Sequence, residues 1–79
     1  MVISSLVLTL SPVPEQRSLA LASLASDPRI EIGQAVRDRL PVVAEAATAA
    51  EGVALCDAMA EHAGVVRVDV VAIDFGEDA

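Results

Sequence analysis

The chain has no lysine, tyrosine or tryptophan, and only one phenylalanine (Phe75), one histidine (His62) and one cysteine (Cys56). Each absence removes a class of function. A lone cysteine makes no internal disulfide, and without a CxxC or Cys/His cluster Cys56 reads as a small apolar core residue rather than a nucleophile or ligand. A sheet without tyrosine or tryptophan, whose lone Phe75 falls near the terminus, lacks the set of rings on which bases stack. Twelve Asp plus Glu against five Arg give a formal charge of −7, which repels phosphate backbones and anionic lipid, so nucleic acid and stable membrane insertion are disfavoured. A basic peptide or protein is the more natural charged partner, although an acidic surface also serves simply to keep a small apolar domain soluble. A targeting segment is also missing: only Met1 precedes the first apolar run, the first basic residue is Arg17, and no small-residue cleavage pattern follows Leu10, so the expected location is cytoplasmic.

What is present is aliphatic. Hydrophobic residues make up 54% of 79, enough for one folded domain spanning 1–79 with one modest core of Ala, Val, Leu and Ile. Val2 to Leu10, VISSLVLTL, is too short for a membrane span and too rich in β-branched residues for a helix. As a strand it places Val2, Ser4, Leu6, Leu8 and Leu10 on one side and Ile3, Ser5, Val7 and Thr9 on the other.

Pro12 and Pro14 end this strand and open a helix near Pro14 or Glu15, with Arg17, Leu21, Leu24 and Ala25 on one side. Asp27-Pro28 stops it. Arg29 to Val36 reads as a second strand, in which Gly33 marks a bulge or a close approach of another backbone. The charged connection Arg37-Asp38-Arg39 leads into a third strand, Leu40 to Ala46. A hairpin here follows from the flanking apolar runs, since no Asn-Gly or Asp-Gly pair is present. Thr48-Ala49-Ala50-Glu51 fits a capping box, and the helix behind it is expected to bury Ala49, Val53, Cys56, Ala60 and Ala63, with Gly52 and Met59 beside them. Gly64 is expected to end it in a left-handed conformation, with His62 near the negative end of the helix dipole. Val65 to Phe75 closes the pattern as a fourth strand, with Val66, Val68, Val70 and Ala72 on one side and Arg67, Asp69, Val71 and Ile73 on the other.

The order β-α-β-β-α-β fits an α+β, ferredoxin-like fold: a four-stranded antiparallel sheet, in spatial order fourth-first-third-second, covered on one face by two helices. The uncovered face then carries Ile3, Ser5, Val7, Thr9, Glu31, Val43, Glu45, Arg67, Asp69 and Val71. So many aliphatics among carboxylates suit the docking of an apolar segment bearing basic residues, and a homodimer through the sheet accounts for the same pattern. No catalytic, metal or cofactor site is expected. HExxH, glycine-rich phosphate loops and paired cysteines are absent, Ser11-Pro12-Val13-Pro14 stands where an acylphosphatase-like enzyme needs an arginine-bearing loop, and His62 has no nucleophile or carboxylate beside it in sequence. Glu31, Glu45 and Asp69 read as exposed strand acids rather than metal ligands.

ISSLVL in the first strand, DPRIEI at the helix exit, LPVVAEA before the second helix and EHAGVVRVDVVAIDF at the end together resemble the NapD family over nearly the whole chain, from Ile3 to about Asp74. Arg37-Asp38-Arg39 departs from the Ser-Gly-like turn usual there. The resemblance implies a ferredoxin-like, non-enzymatic cytoplasmic chaperone without cofactor. Such a chaperone binds the twin-arginine signal peptide of NapA, the catalytic subunit of periplasmic nitrate reductase, and delays Tat export until cofactor insertion and folding are complete. It also implies a peptide-binding sheet surface, for which Ile3, Ser5, Val7, Glu31, Val43, Glu45, Arg67, Asp69 and Val71 are the candidates. A monomer is expected, and a small-metabolite-binding or homodimeric regulatory domain of the same fold is the alternative.

Overall fold

The computed structural model describes residues 1–76. Strand β1 (Val2–Leu10) alternates buried and half-buried residues without a break. It lies between β3 (Arg39–Ala46) and β4 (Val65–Asp74), antiparallel to both, and with β2 (Ile30–Ile32) at the far edge the sheet order is β2-β3-β1-β4. Helices α1 (Pro14–Ala25) and α2 (Ala49–Glu61) complete the βαββαβ order of the ferredoxin-like fold. Leu6, Leu8, Leu10, Leu40 and Val42 form the centre of the core, each contributing about 1.5–3 kcal/mol by burial.

Ser11 sets where α1 begins. Its Oγ accepts the Val13 N–H at 3.1 Å and donates to Gln16 Oε1 at 2.7 Å, while its own N–H donates to the Gly64 carbonyl at 2.9 Å. The first turn thus starts at Pro14 without a side-chain cap on Val13. Ala20 and Leu24 are the buried residues of this helix, Leu21 packs beside them, and Ala25 is exposed. At the other end the Asp27 carboxylate accepts the Arg29 N–H at 2.9 Å, a local turn that turns the chain into β2.

β2 is only Ile30–Ile32, much shorter than the eight-residue strand the apolar run predicts. Its ladder ends at Gly33, where a Cβ would stand 2.8 Å from Pro41 Cγ. The chain pairs again only at Val36, which exchanges hydrogen bonds of 2.8 and 3.1 Å with Arg39 around the two-residue turn Arg37-Asp38. Arg37 has φ of 58°, so this hairpin takes its positive φ from an arginine. The Arg17 guanidinium donates to the Arg37 carbonyl and ties the hairpin to α1.

The capping box of α2 forms, with one variation. Thr48 Oγ1 accepts the Glu51 N–H at 3.1 Å, but the Glu51 carboxylate reaches back to the N–H of Ala47, at 3.2 Å, rather than to that of Thr48. The buried side of α2 is Gly52, Leu55 and Met59 with Cys56 half-buried; Val53 is 62% exposed, and Ala49, Ala60 and Ala63 face outward. Leu55 and Met59, one turn apart, bury far more area than any alanine stripe, and that difference decides the helix rotation. The helix ends at Glu61, with His62 as C-cap in extended geometry and its Nδ1 accepting the Gly64 N–H at 3.1 Å. Gly64 has no positive φ. It is required because a Cβ there would stand 2.3 Å from the Gln16 carbonyl oxygen and 2.5 Å from Ala20 Cβ, where α1 passes.

β4 departs from simple alternation. Its register against β1 shifts between Ser5 and Leu6 and again between Thr9 and Leu10, so that Val71 and Val66 are extra, bulged residues. Residues directly opposite share a face. Val65, Val68, Val70 and Ile73 therefore lie on the helix side, opposite Leu10, Leu8, Leu6 and Ser4, while Ala72 and Asp74 join Arg67 and Asp69 on the open side. Sequence alternation had put Ala72 with the helices and Ile73 opposite; the bulge at Val71 exchanges them.

Candidate functional site: the open sheet face

The strand registers lay the uncovered face out in four rows about 7 Å apart, two residues per step along each strand. Glu45, Ile3 and Asp74 form the first. Glu31, Val43, Ser5 and Ala72 cross all four strands in the second. Pro41, Val7 and Asp69 form the third, and Arg39, Thr9 and Arg67 the fourth. The middle of the face is apolar and small; charge is confined to its margins.

A depression of about 400 Å³ occupies this middle. Five of the nine candidate residues line it, namely Ser5, Val7, Glu31, Val43 and Val71, together with Ile32, Gly33 and Pro41. Val71 reaches it because it is bulged, and the bare Gly33 lies against Pro41 at its other side. Ile3, Glu45, Arg67 and Asp69 share the face but lie outside the depression. Arg67 Nε donates to Asp69 Oδ1 at 2.9 Å, a surface pair that satisfies part of the Asp69 charge within the strand. Glu31 and Glu45 make no ion pair among the described residues.

Asp74, Arg39, Pro41 and Ala72 belong to this face and were not among the residues the sequence pointed to. The bulge hides Asp74 and Ala72 from simple alternation; Arg39 falls in the charged connection and Pro41 inside the third strand, and their opposition to Thr9 and Val7 follows once the β1–β3 register is known. With them the face is electrically graded: Glu45 and Asp74 stand at one end, Arg39 and Arg67 at the other. An extended or helical peptide laid along the strands meets acid at one end, aliphatic surface in the middle and base at the far end. Such a charge gradient can orient a peptide but supplies no reacting group. Among the described residues no three His, Cys, Asp or Glu side chains come together as a metal cluster, and Glu31, Glu45 and Asp69 sit in three different rows.

Among solved structures the fold has a counterpart. The solution structure of the E. coli Tat proofreading chaperone protein NapD matches with a TM-score of 0.76. The likeness covers 98% of this chain and 81% of that one at 23% sequence identity, and it shows the shared ferredoxin-like fold. No protein-family model and no curated protein matches the sequence.

A second concavity, of about 220 Å³, lies on the helix side between α2 and β4, with Val53, Cys56, Val70, Ile73 and Phe75 in its wall. Burial, and then the neighbouring Asp57 carboxylate, push the Cys56 thiol up from its ordinary pKa, away from nucleophilic use. Among the described residues no helix is long and apolar enough to cross a membrane.

Proposed function

We propose that this protein is a non-enzymatic chaperone whose open sheet face docks a peptide that carries adjacent arginines beside an apolar stretch. The observation that carries the reading is the apolar depression between Val7, Val43 and Val71, on the face the helices leave free, with carboxylates at its margins. Apolar contact supplies affinity there, and Glu31, Glu45 and Asp74 select and orient basic residues. The fold shared with a Tat proofreading chaperone and the family resemblance of the sequence support a narrower form: the ligand is a twin-arginine signal peptide, that of NapA, bound in the cytoplasm so that Tat export waits for cofactor insertion and folding.

Calorimetric titration of the protein with the NapA signal peptide, and with a control whose two arginines are glutamine, tests both levels. Saturable binding that weakens in the control is the expected result. Equal binding of the two peptides overturns arginine recognition, and no binding to either at low salt overturns peptide docking.

A further inference from the structure

The two edges of the sheet are finished differently. β2 presents three residues, ends at Gly33 and is a blunt edge. β4 runs for ten residues, pairs among the described residues only with β1, and contains neither lysine nor proline. Its other backbone groups face outward as an unused ladder. Beside that edge α2 leaves the helix side of β4 poorly covered, so Val70 and Ile73 are 52% and 49% exposed although they point toward the helices. The stretch from Arg67 to Val70, between the two bulges, keeps regular register with β1 and is the part fit to accept another strand.

Which strand fits is written in the charges. A two-fold axis normal to the sheet keeps the helices of two copies on one side, so facing residues must come from the same side of the sheet and the axis must pass midway between the two copies of one residue, which names the register. An axis through Arg67 sets two guanidiniums opposite each other, and one through Asp69 sets two carboxylates opposite each other. An axis through Val70 puts the Val71 bulge of each copy inside the seam, so that Asp69 and Arg67 reach Ala72 and Asp74 only across a broken register. An axis through Val68 sets Arg67 of each copy opposite Asp69 of the other, twice, with Val68 facing itself and Val66 approaching Val70. We infer that a second copy of this chain pairs antiparallel along β4 about Val68, joining two four-stranded sheets into one of eight. The apolar margin formed by Val53, Val70, Ile73 and Phe75 lies beside the seam. Arg67 and Asp69 lie on the open face but outside the depression, so this assembly leaves the apolar surface at Val7, Val43 and Val71 free for peptide docking.

Sedimentation equilibrium of the full chain over a wide concentration range should show a reversible monomer–dimer equilibrium. A monomer at every concentration, or growth past two, overturns the inference. Arg67→Asp and Asp69→Arg chains should each dimerise about tenfold or more weakly, since each turns two attractive cross-strand pairs repulsive. Mixed in equal amounts they should recover the dimer, because the chain with two acids then faces the chain with two bases. Should either single variant lose its fold by circular dichroism, the Arg67→Asp/Asp69→Arg chain decides. It should dimerise with itself as the parent does and fail to pair with the parent. Single variants that dimerise like the parent, a mixture no tighter than its components, or a swapped chain that pairs freely with the parent overturns the Val68 register.

Discussion

Arg29 spans the gap between the two helices: Nη1 lies 3.2 Å from Glu51 Oε1 in the first turn of α2, and Nη2 lies 2.8 Å from Asp27 Oδ2 at the exit of α1. Glu51 in turn holds the Ala47 N–H, so one guanidinium braces the turn before β2 and the start of α2 together.

The pH dependence of this brace has a defined sign. The Arg29 side chain, and then the Arg29 N–H, hold the Asp27 carboxyl below the usual carboxylate range. Its contribution is present above the unfolded-state pKa and is lost as pH falls through the lower folded value. Arg29→Gln should return the Asp27 carboxyl toward its ordinary value in an NMR titration and reduce the part of the acid limb of stability that comes from Asp27. An unchanged Asp27 titration counts against the brace.

The rotation of α2 is testable with two truncations. Leu55→Ala should cost about 2–5 kcal/mol in denaturant unfolding, because Leu55 is 5% exposed and packed in the core. Val53→Ala should stay within about 0.5 kcal/mol in the same measurement. Equal costs would mean that α2 sits in the orientation its alanine stripe suggests.

Gly64→Ala should destabilise by about 1–3 kcal/mol through overpacking, since the new methyl group meets the backbone of α1 at Gln16 and the methyl of Ala20. Thermal unfolding reads this directly. A neutral result would show that α1 shifts freely away from the end of α2.

On the open face, Val43→Ser should weaken signal-peptide binding even at high salt, because desolvated apolar contact is not screened. Glu45→Lys should weaken binding mainly at low salt and reduce the preference for arginine, whereas Asp57→Lys on exposed α2 should do less at matched ionic strength. Chemical-shift mapping that lights only the helices would move the site off the sheet.

The architecture was legible where two neighbours fix a strand. β1 and β3 are paired on both sides, so burial follows their period of two from end to end, and the open-face residues Ile3, Ser5, Val7, Val43 and Glu45 could be read from sequence. β4 is held on one side only among the described residues and tolerates two extra residues that no glycine or proline announces, which is why alternation gives Ala72 and Ile73 the wrong phase and does not place Asp74. In α2, alanine fits a core or a surface equally well, so periodicity drawn through Ala49, Ala60 and Ala63 carried no weight against one leucine. β2 is shorter than the extended pattern through Gln34 and Ala35 suggests because Gly33 donates to the Pro41 carbonyl but faces a proline with no N–H to return the bond, and the ladder stops there.

The placement of β1 also bears on how the chain reaches this state. The first strand to be synthesised is the one that needs the last: Ile3 pairs with Asp74, and Leu10 with Val65. Ser11, which sets the start of α1, donates to the carbonyl of Gly64. On its β3 side the first strand finds nearer partners, but on its β4 side they lie more than fifty residues downstream, and closing so long a loop costs entropy before the contacts repay it. Until β4 arrives, Leu6, Leu8 and Leu10 have no finished sheet to enter. A protein whose proposed role is to shelter another chain's apolar segment has, during its own synthesis, one of its own to keep out of trouble.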